Sequence, residues 1–372
     1  MPTDSDTIGK TPLHGVHLEL GARMMPFAGF DMPVHYGSII DEHHAVRQQA
    51  GMFDVSHMGE VFVSGPNAEA FIQNLVTNDV TKLDDGKAMY TVMCRPDGGI
   101  VDDLLVYRFK EGVYLLVINA SNIEGDVAWM RENNEAGAQI DDHSSDIALL
   151  AVQGPKAFEI VSEIAGQDLS ELPFYRFIRP APGTFLGCDK VILSHTGYTG
   201  EKGLEIYVEA ESSRKVWDAV MTAGEKHGLK PAGLGCRDTL RLESGFCLYG
   251  NDITLDTNPL EAGLSWLVKF DAGDFVGRDV LLAVKEAGMQ RRLVAFVMQE
   301  RGIPRSGCDI VDADGVVIGR VTSGTQSPTL GQGIGMGYVP NTPEYRSPGS
   351  AIGIQVRNRV LQAQVKKAPL HK

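Results

Sequence analysis

Nothing in this chain of 372 residues approaches the ~20 consecutive apolar residues that a bilayer span needs. Its first stretch, MPTDSDTIGK, has neither a hydrophobic signal core nor an Arg-rich amphipathic presequence, so a cytoplasmic protein without a membrane partner is expected. Cysteine is scarce: five residues (94, 188, 236, 247, 308), odd in number and never in a C-x-x-C pair. That spacing argues against a disulfide framework and against a zinc site, and no metal is expected. Positive charge is outweighed, with 34 basic against 48 acidic residues, a formal net charge of −14 and no dense Lys/Arg cluster. Nucleic acid is therefore not an expected partner. An anionic ligand would need its counter-charge placed locally.

Several familiar signatures are missing too. GLG at 233–235 lacks the G-x-G-x-x-G frame, and no G-x-x-x-x-G-K-[ST] occurs. GQGIGMG (331–337) has glycine at every second position, which suits a thin or bulged strand better than a phosphate cradle. DEHHAVR is not H-E-x-x-H, and His57 in FDVSHMG reads as a packing histidine.

What is present exceeds one ordinary core, so two or three domains are expected. The first ~50 residues read as helix, turn, helix, the second helix ending at Gly51. FDVSHMGEVFVSG alternates as one strand up to Gly65-Pro66, and NAEAFIQNLVTNDV reads as a helix capped by Asn67. The pattern over 55–165 is β-α-β-β-α-β, an α+β arrangement. KVILSHTGYTGEKGLEIYVEA gives two strands around a Gly-rich connection, SSRKVWDAVMTAGEKHG a Ser-capped helix, and GLGCRDTLRLESG a helix ending at Gly245. Near residues 275–290 the pattern changes to short strands separated by Gly/Pro turns, as in a small β-barrel of roughly 80 residues. The division expected is 1–280 and 281–372.

Three stretches could carry chemistry. GGIVDDLLVYR (98–108) sets Asp102 and Asp103 at the mouth of an apolar strand. Alternation puts Asp102 with Leu104 and Val106, and Asp103 with Leu105 and Tyr107, so both faces are apolar. A solvated turn and a carboxylate aimed at a ligand both remain open, and NASN (119–122) supplies amides at the end of the next strand. HTGYTGEKGLEIYVE places Glu205, Tyr207 and Glu209 on one strand face, which alone reads as a solvated hairpin. RDTLR sets Arg237 and Arg241 four apart on one helix face, an ion-pair network or an anion site.

TPLHGVHLELGARMMPFAGF, FDVSHMGEV, GGIVDDLL, GYTGEKGLEI, RDTLRLESGFCLYGNDI and GIGMGYVP occur in this order. Together they resemble the T-protein family, the aminomethyltransferases of the glycine cleavage system, from about Thr11 to Lys367. The resemblance implies a cloverleaf: two interleaved folate-binding α+β subdomains and a C-terminal β-barrel around a central channel. It implies transfer of one carbon from the aminomethyl-dihydrolipoyl arm of H-protein to tetrahydrofolate, releasing ammonia and forming 5,10-methylenetetrahydrofolate. Asp103 matches the family's key aspartate, as base, electrostatic stabiliser or positioning group, whereas Asp102 falls to turn chemistry. Asn119 matches an asparagine beside that site, Glu205 a folate-contacting glutamate and Arg237 a substrate-site arginine. Tyr90 and Tyr198 match positions that can be aromatic around the folate. The chain ends VKKAPLHK, without the aromatic residue that reaches the folate in some relatives, and Arg291-Arg292 reads as junction support. Two alternatives share the fold. One is a folate-dependent demethylase; the other is a non-catalytic folate-binding module, whose K-G-C-Y-x-G-Q-E run is absent here.

Overall fold

The computed structural model describes residues 8–372 and contains two large sheets, a short hairpin and a closed six-stranded barrel. The first sheet runs in the order Phe177–Ile178, Ile192–Ser194, Gly203–Glu209, Ile147–Gln153, Gly51–Asp54 and Lys230–Pro231. The second runs Lys87–Cys94, Ile100–Lys110, Val113–Ile118, Gly59–Ser64 and Gln139–Asp142. Thus the chain leaves the first sheet at Asp54, builds the whole second sheet, and returns at Ile147 to pair beside the strand it left.

FDVSHMGEVFVSG, expected as one strand, is therefore two strands in different sheets. Asp54 makes the break. Its side chain accepts the Ser56 backbone N–H at 2.9 Å, Thr11 Oγ1 at 2.7 Å and His17 Nε2 at 2.8 Å. An aspartate that binds the amide two residues on offers the backbone a turn in place of a ladder. Burial alone would raise this carboxyl, but the bonds from His17, Ser56 and Thr11 hold it below the ordinary value. Hydrophobic alternation continues on both sides of the turn, which hides the break from pattern reading.

The two sheets pack face to face. Phe53, Leu149, Ala151 and Tyr207 of the first meet Ala88, Tyr107, Leu115 and Val117 of the second in one buried cluster. The hydroxyls of Tyr107 and Tyr207 meet across it at 3.0 Å. Helices Ala157–Ala165 and Ser213–Gly224 cover the outer face of the first sheet through Ile160, Val161, Val216 and Trp217. Ala68–Leu75 and Ile123–Glu132 cover the second through Phe71, Ile72, Val127 and Met130. The result is a helix–sheet–sheet–helix sandwich, because each sheet has two apolar faces to bury.

Three other local expectations are corrected. The first 50 residues contain a hairpin, Arg23–Phe27 with Phe30–His35, between the helices. The inserted unit is β-α-β-β-β-α-β: Val113–Ile118 forms as expected, and Gln139–Asp142 adds an edge strand that was not expected. Neither Asn67 nor Ser212 makes a side-chain cap; Asn67 Nδ2 instead donates to the Ala136 carbonyl at 2.8 Å.

Helix Leu234–Ser244 ties the barrel to the sandwich and ends at Gly245, whose φ of +75° closes its C-terminus. Arg241 is buried and binds Asp252 at 2.7 Å, the Phe246 carbonyl at 3.0 Å and Ser323 Oγ at 2.9 Å. Of the two readings of the Arg pair, Arg241 is the ion-pair one. Arg291 also serves the junction, gripping Glu261 with two bonds of 2.9 Å. Truncating one partner of a buried ion pair strands the other charge, at a typical cost of about 3–5 kcal/mol. Arg241→Ala is accordingly expected to lose about that much stability in urea unfolding, whereas Arg291→Ala, half in solvent, should lose under about 1 kcal/mol.

Candidate functional site

Gly98 and Gly99 turn the chain into the strand Ile100–Lys110, and the turn needs both. Gly98 has φ of +85°, and a Cβ on Gly99 would lie 2.1 Å from the Leu255 carbonyl oxygen. Beyond them Asp102 and Asp103 are both strand residues, and alternation sends them to opposite faces.

Asp102 is fully buried on the helix side and does not belong to a solvated turn. Asn119 meets it with its backbone N–H at 2.9 Å and Nδ2 at 2.8 Å, and Asn122 Nδ2 at 2.7 Å. Behind it lies Asp126 of helix Ile123–Glu132, also buried. Burial and the Asp102 charge push Asp126 up to about 11, so it holds a proton and donates to Asp102. Burial likewise raises Asp102, against the opposing hydrogen bonds of Asp126, Asn119 and Asn122.

Asp103 points the other way, into the gap between the sheets, and is partly accessible. Tyr90 Oη donates to its Oδ2 at 2.7 Å and Asn119 Nδ2 to its Oδ1 at 2.9 Å. Burial first, then the neighbouring Asp102 charge, pushes its carboxyl up to about 7. One amide, that of Asn119, orients both acids.

The facing wall comes from the first sheet and helix Leu234–Ser244. Glu205 is buried in Gly203–Glu209, a strand hydrogen-bonded on both sides rather than a solvated hairpin arm. It accepts a hydrogen bond from Thr196 Oγ1; burial raises its carboxyl, while Thr196 and the Arg237 charge oppose the rise. The Arg237 guanidinium carbon sits 4.8 Å from the Tyr198 ring centroid, within cation–π range. One terminal nitrogen of that guanidinium is buried without a protein partner. Tyr198 donates to the Cys247 carbonyl and stacks on Phe246 with centroids 5.8 Å apart. The structure thus gathers Asp103, Tyr90 and Asn119 on one wall, and Glu205, Arg237 and Tyr198 on the other. The charge of Asp103 raises the Tyr198 hydroxyl after burial and the opposing charge of Arg241, as expected for two walls of one cleft.

Three residues in or behind the cleft, Trp266, Glu60 and Asp126, escaped the sequence reading, and His57, read as a packing histidine, lies beside Arg237. Trp266, 56% exposed, places its ring 6.2 Å from that of Tyr90. His57 packs against Phe27 at 5.7 Å, but its Nδ1 has no protein partner, and burial beside Arg237 pushes it down to about 4. Glu60, inside a valine-rich strand, and Asp126, on the same helical stripe as Ile123 and Met130, are charges at apolar positions. That misplacement was the available signal. Surface hollows lined by Glu163, Asp218 and Lys226 contain none of these residues. Among the described residues no cluster of three or more His, Cys, Asp or Glu side chains could hold a metal, and no helix is long and apolar enough to cross a membrane. The C-terminus docks on the helix by a 2.7 Å bond from the Leu370 N–H to the Glu243 carbonyl.

A carboxyl poised near neutral pH on one wall and an arginine beside a carboxyl on the other are groups equipped to move protons and to hold a polar ligand. The GCVT N-terminal domain matches residues 13–272, and the glycine cleavage T-protein C-terminal barrel domain matches 291–372. An aminomethyltransferase of Halothermothrix orenii is 52% identical over 360 residues, covering 97% of this chain and 99% of the relative. One from Porphyromonas gingivalis is 50% identical over 364 residues, with the same coverage. The crystal structure of the glycine cleavage system aminomethyltransferase T from Bartonella henselae superposes with a TM-score of 0.90 at 32% identity, covering 98% of both chains. The chain belongs to the glycine cleavage T-protein family, and its activity is that of a folate-dependent aminomethyltransferase.

Because Asp103 sits at about 7 in the fold against 3.8 ordinarily, the folded chain keeps a proton there that the unfolded chain has lost. Its contribution to stability is complete below the ordinary value and disappears as pH rises through about 7. Asp103→Asn should flatten the dependence of the urea midpoint on pH between these values, and gain on wild type as pH passes 7.

Proposed function

We propose that the cleft binds tetrahydrofolate and that residues 1–280 form the catalytic region, closed by the barrel domain 281–372. The aminomethyl donor is the dihydrolipoyl arm of H-protein in the cytoplasm, as in the glycine cleavage system. The reaction moves one carbon from that arm to tetrahydrofolate, forming 5,10-methylenetetrahydrofolate and releasing ammonia and the reduced arm. The observation carrying this reading is the Asp103 carboxyl, walled by apolar residues, fixed by Tyr90 and Asn119, and poised near 7.

The residues present suit a reduced pterin. The pterin's amide N–H and 2-amino group form a parallel donor pair, matching the two oxygens of a carboxylate such as Glu205. Tyr198 and Tyr90 offer flat faces to the ring system, and Arg237 supplies the local positive charge that an acidic protein must place deliberately. Asp103 faces the edge where the carbon lands. As a carboxylate it orients the attacking amine, takes up its proton and favours the positive charge that develops on the transferred carbon. General acid–base help is typically worth about 10²–10⁴-fold. A carboxyl near 7 suits it, because it releases and regains a proton with little driving force lost.

Purified protein, tetrahydrofolate and aminomethyl-loaded H-protein should together yield ammonia and methylenetetrahydrofolate. Turnover of a free methylated compound without H-protein would overturn the assignment. Asp103→Asn and Asp103→Ala are expected to cut the rate at least tenfold in a folded protein. The rise of kcat/KM through about pH 7 should vanish with the carboxyl. Glu205→Gln is expected to raise the Kd for tetrahydrofolate, and an unchanged Kd would remove Glu205 from the pterin contact.

A further inference from the structure

Glu60 is the one fully buried carboxylate among the described residues with neither oxygen partnered inside the protein. Its backbone is satisfied: the N–H donates to Ser144 Oγ at 3.0 Å, and the carbonyl accepts from the His143 N–H at 2.9 Å. Only the carboxyl is left without a role. Burying a polar group unpaired costs on the order of 1–3 kcal/mol, so its presence needs an account.

Its position supplies one. Glu60 pairs with Val117, Val117 with Leu105, and Leu105 with Tyr90, so the four occupy one row across the second sheet. Asp103 lies two residues from Leu105 along its strand and shares that face. Glu60 therefore looks into the same inter-sheet gap as Asp103. With strands ~4.8 Å apart and ~3.4 Å per residue, their backbones are separated by roughly 12 Å. Across the gap is Glu205, whose charge raises the Glu60 carboxyl after burial and Asp142. No cation offsets these effects, which favour the neutral acid; in that form Glu60 has one O–H donor and one acceptor oxygen unspent.

We propose that Glu60 is a second pterin-contacting residue, giving its O–H to N1 and accepting from N8–H of the reduced ring. This inference rests on the folate reading above and specifies a further edge of the same ligand. In a tetrahydropterin N1 is an acceptor and N8–H the donor beside it, the complement of a neutral carboxyl. That edge adjoins the 2-amino group assigned to Glu205, as the two glutamates adjoin each other. The contact selects the reduced ring, because an oxidised pterin has no N8–H.

The test is calorimetric titration of tetrahydrofolate into wild type, Glu60→Gln and Glu60→Leu, with urea unfolding of each. Glu60→Gln keeps one donor and one acceptor, so its Kd should stay within about threefold of wild type. Glu60→Leu should bind about tenfold or more weakly while its urea midpoint holds or rises, since it removes an unpaired buried acid. A merely structural role predicts the reverse, lost stability with affinity kept. If Glu60→Leu does not fold, 8-deazatetrahydrofolate decides on wild type, because CH2 replaces the N8–H. Binding weakened about tenfold supports the contact, and equal binding overturns it. Wild-type affinity retained in Glu60→Leu overturns the Glu60 contact alone. Absence of any tetrahydrofolate binding by wild type overturns the folate reading and this contact with it.

Discussion

Three neighbouring carboxyls, Asp102 and Asp126 buried and Asp103 partly accessible, with no arginine or lysine paired to them, impose the constraint on which this site depends. Ionised together they would repel at short range in a medium that screens poorly. The chain's solution is to keep Asp126 protonated, to surround Asp102 with amide donors from Asn119 and Asn122, and to leave Asp103 alone facing the cleft. The inner charge then does chemical work: it disfavours a second charge on Asp103 and sets that carboxyl where a proton moves freely near neutral pH. Asn119 is the joint of the arrangement, since its single amide group holds both acids.

The opposite wall uses another logic. Glu205 and Arg237 are of opposite sign and temper each other's desolvation, while Arg237 keeps one nitrogen unspent and Tyr198 lies beneath its guanidinium. The cleft is thus polar at its two ends and flat between them. The barrel bears on this indirectly. Arg241, one helical turn beyond Arg237, fixes the helix to Asp252 and Ser323, so the barrel holds the helix that presents Arg237.

Much of this was legible in the residues. Period-2 alternation around 100–107 located the key strand and implied that both faces were covered, and Gly/Pro punctuation after residue 290 revealed the barrel. Asp54 was not legible as a breakpoint, because the apolar rhythm runs through it while the turn is made by its side-chain bonds to Ser56, Thr11 and His17. Nor could Glu205 be told from a hairpin acid: its burial comes from Ile147–Gln153, a neighbour more than fifty residues earlier. Asp102 looked like turn chemistry for the same reason. The amides that make it tolerable arrive from the next strand's end, and no local pattern announces them.

The break at Asp54 also bears on the order in which strands become available for pairing. Strand Gly51–Asp54 leaves the ribosome early, yet both its neighbours in the first sheet, Ile147–Gln153 and Lys230–Pro231, are synthesised much later. Until then it is an unsheathed apolar edge, while everything between 59 and 142 can already close into a sheet of its own. Bringing the ends of that insert together shortens the loop that separates Asp54 from Ile147, and so lowers the entropy of closing it. The strands of the wall bearing Asp103 are thus made before the strand bearing Glu205, and the cleft can exist only once the older strand Gly51–Asp54 has met its younger partners.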